Sequence, residues 1–322
     1  MNGYPEPRPL LVICGPTASG KTAVAVEAAK LCNGEIVSCD SMQIYRGMRI
    51  GTAVPTPDEM QGIAHHILEC VEPGTVFSAS DYRDTAKPIL INIASRGKLP
   101  ILSGGTGLYI DSLTRPMRMA VKSDSSLRAE LKAMGETAQG RAALYRELQR
   151  VDPETAAKVH PNDVLRVSRA MEVYRLTGKP ISAWRSEDTE QPADFTGFLY
   201  ALDWSREALY ARIDARARSM FENGLIRETE DLLKRGIPLD TTCMQAIGYK
   251  ETVLYLLGRL TKNEAADLIC RNTRHYAKRQ NTWFRRDERV RWVAAEERSA
   301  REIAAEILKD YQKRLDEQKG KD

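Results

Sequence analysis

The sequence predicts an α/β fold: a parallel sheet flanked by helices, interrupted by a helical insertion. Three observations predict it. Short apolar runs at Leu10–Cys14, Glu35–Asp40 and Leu99–Ser103 alternate with helical stretches, which is the pattern of successive βαβ units. A glycine-rich segment joins the first run to the first helix. After Arg115-Pro116 strand character stops, and charged helical segments run from about Ser123 to Trp184.

Leu10-Leu11-Val12-Ile13-Cys14 is uninterrupted by polar residues, as a parallel strand covered on both faces should be. Lys21 to Leu31 suits a helix, closed by Asn33-Gly34. Glu35 to Asp40 reads as a second strand with Asp40 at its carboxyl end. Ser80 to Arg96 reads as a helix opened by Ser80 or Asp81 and closed by Gly97. Leu99 to Ser103 is a third strand, followed by Gly104-Gly105-Thr106-Gly107. Right-handed crossovers place the three strand-end loops on one sheet edge. Phe198–Leu202 returns to strand character, and Ser205 caps a helix to about Asn223. Thr261-x-x-Glu264 is a capping box for a long helix through about Trp283. Arg289–Val293 reads as a last strand and Ser299 to about Leu315 as a final helix. The expected organisation is a core in two parts, 8–118 and 196–316, a helical insertion at 119–195, and a disordered tail at 317–322.

Composition fits this frame. Hydrophobic residues make up 42% and charged residues 29%, ordinary values for a folded domain. No apolar run approaches the ~20 residues that span a bilayer, and the N-terminus lacks a secretory pattern, so no membrane partner is expected. The six cysteines form no C-x-x-C pair. They suit reduced thiols and a cytoplasmic location rather than a disulfide framework or zinc site. Net charge is only +4, but Arg271, Arg274, Lys278, Arg279, Arg285, Arg286, Arg289 and Arg291 are opposed within their stretch only by Asp287 and Glu288. A phosphate-rich partner suits that stretch, although charge alone is met equally by a solvated helix face.

Gly15-Pro16-Thr17-Ala18-Ser19-Gly20-Lys21-Thr22 is a complete P-loop pattern with a strand before it and a helix after it. The fold class is therefore P-loop NTPase-like. Its backbone N–H groups and the helix N-terminus favour a bound anion. Lys21 adds a point charge, and the Thr22 hydroxyl can hold Mg²⁺. The loop does not specify a reaction, because kinases, ATPases and other phosphate users share it. Asp40 should face the loop, where it would bind Mg²⁺, act as a general base, or serve only as a turn residue. His65-His66 lacks a third ligand at usable spacing, which points to a structural role. Arg212 and Arg216 stand four apart and share a helix face, where pairing with Glu207 or Asp214 is the plain alternative. Tyr45, Tyr109, Trp283 and Phe284 receive no site role, since most aromatics are core.

The ordered set of motifs is more specific than any one of them. GPTASGKT at 15–22, DSMQIYRGMRIGTA at 40–53, AHHIL at 64–68 and GGTGLY at 104–109 resemble the tRNA dimethylallyltransferase family. The likeness continues through His160–Asp163, Arg166–Tyr174, Thr177–Pro180, Gly248–Glu251 and Thr273–Arg285. The resemblance implies a Mg²⁺-dependent enzyme with dimethylallyl diphosphate as donor and the exocyclic amine of an adenine beside the tRNA anticodon as acceptor. It implies Asp40 as general base, with Thr17 and Arg216 on the donor's diphosphate within the loop 15–22. It implies tRNA contacts from Asp40, Ser41, Met42, Gln43, Thr106, Arg128 and the stretch Leu165, Arg166, Val167, Ser168 and Arg169. Where the family often has a glutamine, this chain has Leu165. A monomer is expected, gripping the anticodon stem-loop by its phosphates.

The implied chemistry stands on physical grounds. Charge builds on the leaving diphosphate, where loop amides, Lys21, Arg216 and Mg²⁺ at Thr22 would neutralise it. An adenine amine becomes acidic as its new C–N bond forms, so a carboxylate of ordinary basicity suffices as base. Three rivals share the loop: a small-metabolite kinase, a transferase prenylating free adenine nucleotides, and a non-catalytic, nucleotide-switched RNA-binding protein. The insertion and the basic stretch favour tRNA over the first two, and Asp40 facing the loop argues against the third.

Overall fold

A computed structural model describes residues 7–117, 124–186 and 193–320. The described residues fall into two compact units, one built on Glu6–Thr114 with Phe195–Asp322, the other on Arg115–Asp194.

The larger unit begins with β1 (Arg8–Cys14), α1 (Lys21–Cys32), β2 (Gly34–Cys39), α2 (Pro57–Met60), β3 (His65–His66), α3 (Ala79–Ser95), β4 (Leu99–Gly104) and α4 (Gly107–Thr114). The smaller unit contains α5 (Ser125–Glu136), α6 (Ala138–Val151), α7 (Pro153–Lys158), α8 (Val164–Thr177) and α9 (Ile181–Ser186). The larger unit resumes with β5 (Phe195–Asp203), α10 (Arg206–Glu222), α11 (Leu225–Lys234), α12 (Tyr249–Leu256), α13 (Lys262–Arg285), β6 (Val290–Ala294) and α14 (Ala300–Lys319).

The six strands form one sheet in the order β3-β2-β4-β1-β5-β6, with every pair parallel. Leu11 stands between Ile101 of β4 and Phe198 of β5, which puts β1 at the centre of the sheet. Leu10 to Cys14 are fully buried, and the pleat divides them. Leu11 and Ile13 pack with Val24 of α1 and Ile303, Ala304 and Ile307 of α14. Leu10, Val12 and Cys14 pack on the opposite face with Tyr82 and Leu90 of α3 and Ile110 of α4. Two covered faces explain why the strand sequence is a continuous apolar run. The smaller unit has its own core around Leu131, Leu144, Leu148, Val167 and Met171.

Several element ends differ from the sequence reading. Ser78, not Ser80 or Asp81, caps α3: its side chain accepts from the Asp81 N–H while Asp81 bonds back to the Ser78 backbone. Asp81 is the third residue of a capping box rather than its start. The final helix runs past Leu315, so residues 317–319, expected to be disordered, are helical. Gln312 donates to Asp316 at 3.0 Å and Lys313 pairs with Glu317 at 3.8 Å, both at the i,i+4 spacing that supports a helix end. His65-His66 forms the edge strand β3, with His66 Nε2 2.9 Å from Glu35 Oε2.

Candidate active site

The glycine-rich segment leaves β1 at the carboxyl edge of the sheet and enters α1. Gly15 and Gly20 adopt φ of 125° and 91°, and Ala18 lies in the left-handed region at 63°. Glycine takes such angles without penalty, and alternation of this kind turns successive N–H groups into one anion-binding hollow. Ser19 is buried, and its hydroxyl has no hydrogen-bond partner among the described residues. Lys21 Nζ donates to the Pro16 carbonyl at 2.6 Å. Burial pushes the Lys21 ammonium down to about 8, Asp40 pulls it back up, and Arg216 pushes it down again.

Helix α10 closes over this loop. Arg216 donates to the Thr17 hydroxyl. Arg212 Nε donates to the Ala18 carbonyl at 2.8 Å and its guanidinium lies 4.4 Å from the centre of the Trp204 ring. Trp204 itself donates to the Ser19 carbonyl at 2.9 Å. The surface pairing of Arg212 or Arg216 with Glu207 or Asp214 does not form; Asp214 instead accepts from Arg274 at 2.7 Å.

Asp40 follows β2 on the same edge. Its Oδ1 accepts the Met42 N–H at 2.8 Å and the Gln43 N–H at 3.4 Å, while Oδ2 has no hydrogen-bond partner among the described residues. The aspartate is thus a turn residue through one oxygen and open through the other. Its charge acts on both Lys21 and Arg216, so the three ionisable groups share one site. Burial, and after it the charge of Asp40, raises the Tyr276 phenol well above its ordinary range. Cys14 and Cys39 sit behind the loop, and burial pushes both thiols up, Cys14 to about 12. Neither supplies a thiolate at neutral pH.

The segment after Asp40 is braced internally. The Ser41 N–H donates to Thr106 Oγ1 at 3.1 Å, and the Thr106 N–H donates to the Cys39 carbonyl at 3.2 Å. Gln43 donates to the Ala53 carbonyl at 2.8 Å and accepts from Ser38 at 3.0 Å. Both ends of that carboxamide are therefore occupied within the fold. Met42 packs against the core.

Arg128, Leu165, Arg166 and Arg169 belong to the smaller unit. Leu165 is 84% exposed, and Arg166 is largely exposed beside Asp163 at 3.2 Å. Arg169 and Arg128 flank the buried Glu172 at 2.6 and 3.4 Å. Val167 is 2% exposed and lies in the core of the unit, so its side chain faces away from solvent. The Ser168 hydroxyl is buried with no hydrogen-bond partner among the described residues.

The family model described as IPP transferase matches residues 43–287, a span that begins after the P-loop and Asp40. A tRNA dimethylallyltransferase of Geotalea uraniireducens is 48% identical over 88% of this chain and 91% of its own length. One from Desulforudis audaxviator is 44% identical over 94% and 98%. The chain belongs to the IPP transferase family. The solved structure of the tRNA isopentenylpyrophosphate transferase of Bacillus halodurans, a 41% identical relative, covers 95% of this chain and 98% of its own, with a TM-score of 0.68. A eukaryotic dimethylallyltransferase solved acting on tRNA is 28% identical, covering 90% of this chain and 74% of its own, with a TM-score of 0.76.

Within this IPP transferase family member, sequence reasoning missed Trp204 and Gln280, which the site uses, and gave no role to Arg212. Trp204 holds the loop from the turn between β5 and α10, Arg212 from α10, and Gln280 from α13 through the Thr17 N–H at 2.8 Å. A signal existed for the last. Tyr276, Gln280 and Trp283 are spaced four and three residues apart, which aligns them on one helix face.

Proposed function

We propose that this chain transfers a dimethylallyl group from dimethylallyl diphosphate to the N6 amine of the adenine adjacent to the anticodon in tRNA. The observation that carries the reading is the charge layout of the site. Two cations, Lys21 and Arg216, stand over the anion-binding loop, and Asp40 presents one open carboxylate oxygen within their field. Membership in the IPP transferase family, and the names of its relatives, favour prenyl transfer over phosphoryl transfer.

In this reading the allylic C–O bond breaks and diphosphate leaves with the electron pair. The adenine nitrogen bonds to the freed carbon and gives its proton to Asp40 Oδ2. Loop amides, the buried Ser19 hydroxyl, Lys21 and Arg216 hold the charge where it develops, and need no reorganisation to do so. Mg²⁺ fits the oxygen donors present: the Thr22 hydroxyl would hold it together with diphosphate oxygens and water. It would supply further neutralisation of the leaving group. Among the described residues no group of three or more His, Cys, Asp or Glu surrounds an ion site, which suits a metal carried in with the donor. By charge, the exposed arginines of α5 and α8, and independently the basic residues of α13, each suit contacts with tRNA phosphates, and an unpaired loop would let the adenine leave its stack.

Asp40→Asn tests the reading against a kinase. The amide keeps shape and a hydrogen-bonding oxygen but is not basic, so kcat should fall ~10²–10⁴-fold. Titrations of donor and Mg²⁺ should change little, because the loop, Lys21 and Arg216 hold the diphosphate. A near-normal single-turnover rate would refute the general base. Weakened Mg²⁺–nucleotide binding with ATP turnover on a small acceptor would favour the kinase.

A further inference from the structure

The geometry points to Gln280 as a positioning residue that locks the diphosphate-binding loop and the loop beside Asp40 into one register. The inference rests on the proposed transfer and deepens it. Gln280 lies on α13 and is 6% exposed. Its Oε1 accepts the Thr17 N–H at 2.8 Å, and its Nε2 donates to the Gly105 carbonyl at 2.9 Å. A buried carboxamide that served only helix packing would not bridge two separate strand-end loops, one after β1 and one after β4. A side-chain amide is suited to this place because one end accepts while the other donates. A carboxylate could satisfy Thr17 but not Gly105.

Each partner leads to a reacting end. On one side Thr17 holds Arg216 through its hydroxyl. On the other, Gly105 precedes Thr106, which bonds to the Cys39 carbonyl and to the Ser41 N–H, the two neighbours of Asp40. A continuous line therefore runs from the diphosphate grip to the proposed base, with Gln280 as its middle link. The fit is close: a Cβ at Gly105 would overlap Gln280 Nε2, and one at Gly107 would overlap the Trp283 ring. Only glycines let α13 approach this loop so nearly. Transfer needs donor carbon and acceptor nitrogen aligned, and a misplacement of about 1 Å can cost ~10²-fold in rate.

The test is a double-mutant cycle of Gln280→Met and Thr17→Ala, read in single turnover with tRNA and dimethylallyl diphosphate. Binding of inorganic pyrophosphate and of tRNA is measured on the same proteins. Gln280→Met keeps length but loses both bonds. Transfer should slow by ~10–100-fold and pyrophosphate binding should weaken several-fold, with tRNA affinity unchanged. In the Thr17→Ala background, which keeps the residue-17 N–H but has lost the hydroxyl that holds Arg216, the same change should cost less, because the arm that runs to Arg216 is already gone. An equal cost in both backgrounds, or unchanged rate and pyrophosphate affinity, overturns the inference. If Gln280→Met does not fold, Gln280→Glu replaces it: it keeps the Thr17 bond and loses the one to Gly105, so transfer should slow by ~10-fold or more, and an unchanged rate overturns the inference. Failure of both to fold also overturns it, since the residue would then be structural. A wild-type protein that transfers nothing refutes the proposed function, and the pyrophosphate measurement still decides Gln280.

Discussion

The glycine-rich loop and the arginine face of the smaller unit are both rich in cations, yet they are built in opposite ways. Around the loop most polar groups are held by another: Lys21 by Pro16, Arg216 by Thr17, Arg212 by Ala18 and Trp204, Thr17 by Gln280. On α8, Arg166 stands largely in solvent beside one half-buried aspartate, next to an exposed leucine. The first arrangement is fixed before a ligand arrives and suits stabilising charge at one point. The second is exposed and screened by solvent, and suits tracking a phosphate backbone. Substitutions in the two regions should therefore differ in size and in kind.

Below the Asp40→Asn rate loss, the largest effect expected is from Lys21→Ala. Donor binding should weaken ~10–100-fold, the range for a charge-assisted bond in a water-poor site, while tRNA binding persists. The wild-type site should also show the lysine in its pH dependence. Its free ammonium loses its proton from about pH 8 upward, and a bound diphosphate favours the charged form. Donor affinity should be flat below that pH and fall above it, with proton uptake on binding seen by calorimetry in buffers of different ionisation enthalpy. Lys21→Ala should abolish both the fall and the uptake. Loss of tRNA affinity with normal single-turnover chemistry would reverse the assignment.

Glu35 gives a control at the far end of β2. Arg96, then Lys98 and His66, hold its buried carboxylate well below the usual range. A depressed carboxyl contributes stability above the ordinary carboxylate range and loses it as pH falls through and below that range. Glu35→Gln should cost about 1–2 kcal/mol near pH 7, discounted for three partly exposed partners, and progressively less in acid. Urea melts at both pH values check this, and transfer per folded enzyme should be unaffected.

The smallest effect belongs to Arg166→Ala. tRNA affinity should drop only a few-fold, and the slope of log affinity against log salt should shrink by ~0.7–0.9. A wild-type affinity that is flat with salt would remove the electrostatic account of this face.

What was legible in the sequence was local. The P-loop, Asp40 and the parallel strands each carry their signal within a few residues. Thr17 and Gln280 lie 263 residues apart and Trp204 lies 185 from Ser19, so no spacing rule joins them before the chain folds. β3 is two residues long, too short for a periodicity to mark it. Val167 shows the opposite error. It sits inside a stretch read as RNA-facing, but the helical repeat turns it into the core while Leu165 and Arg166 stay outside.

The most direct measurement incubates the protein with tRNA, Mg²⁺ and isotopically labelled dimethylallyl diphosphate, then weighs the nucleosides after digestion. The account predicts a labelled dimethylallyl group on the N6 of one adenosine beside the anticodon, with diphosphate released in equal amount. Unlabelled tRNA alongside rapid ATP consumption on a small acceptor would contradict it.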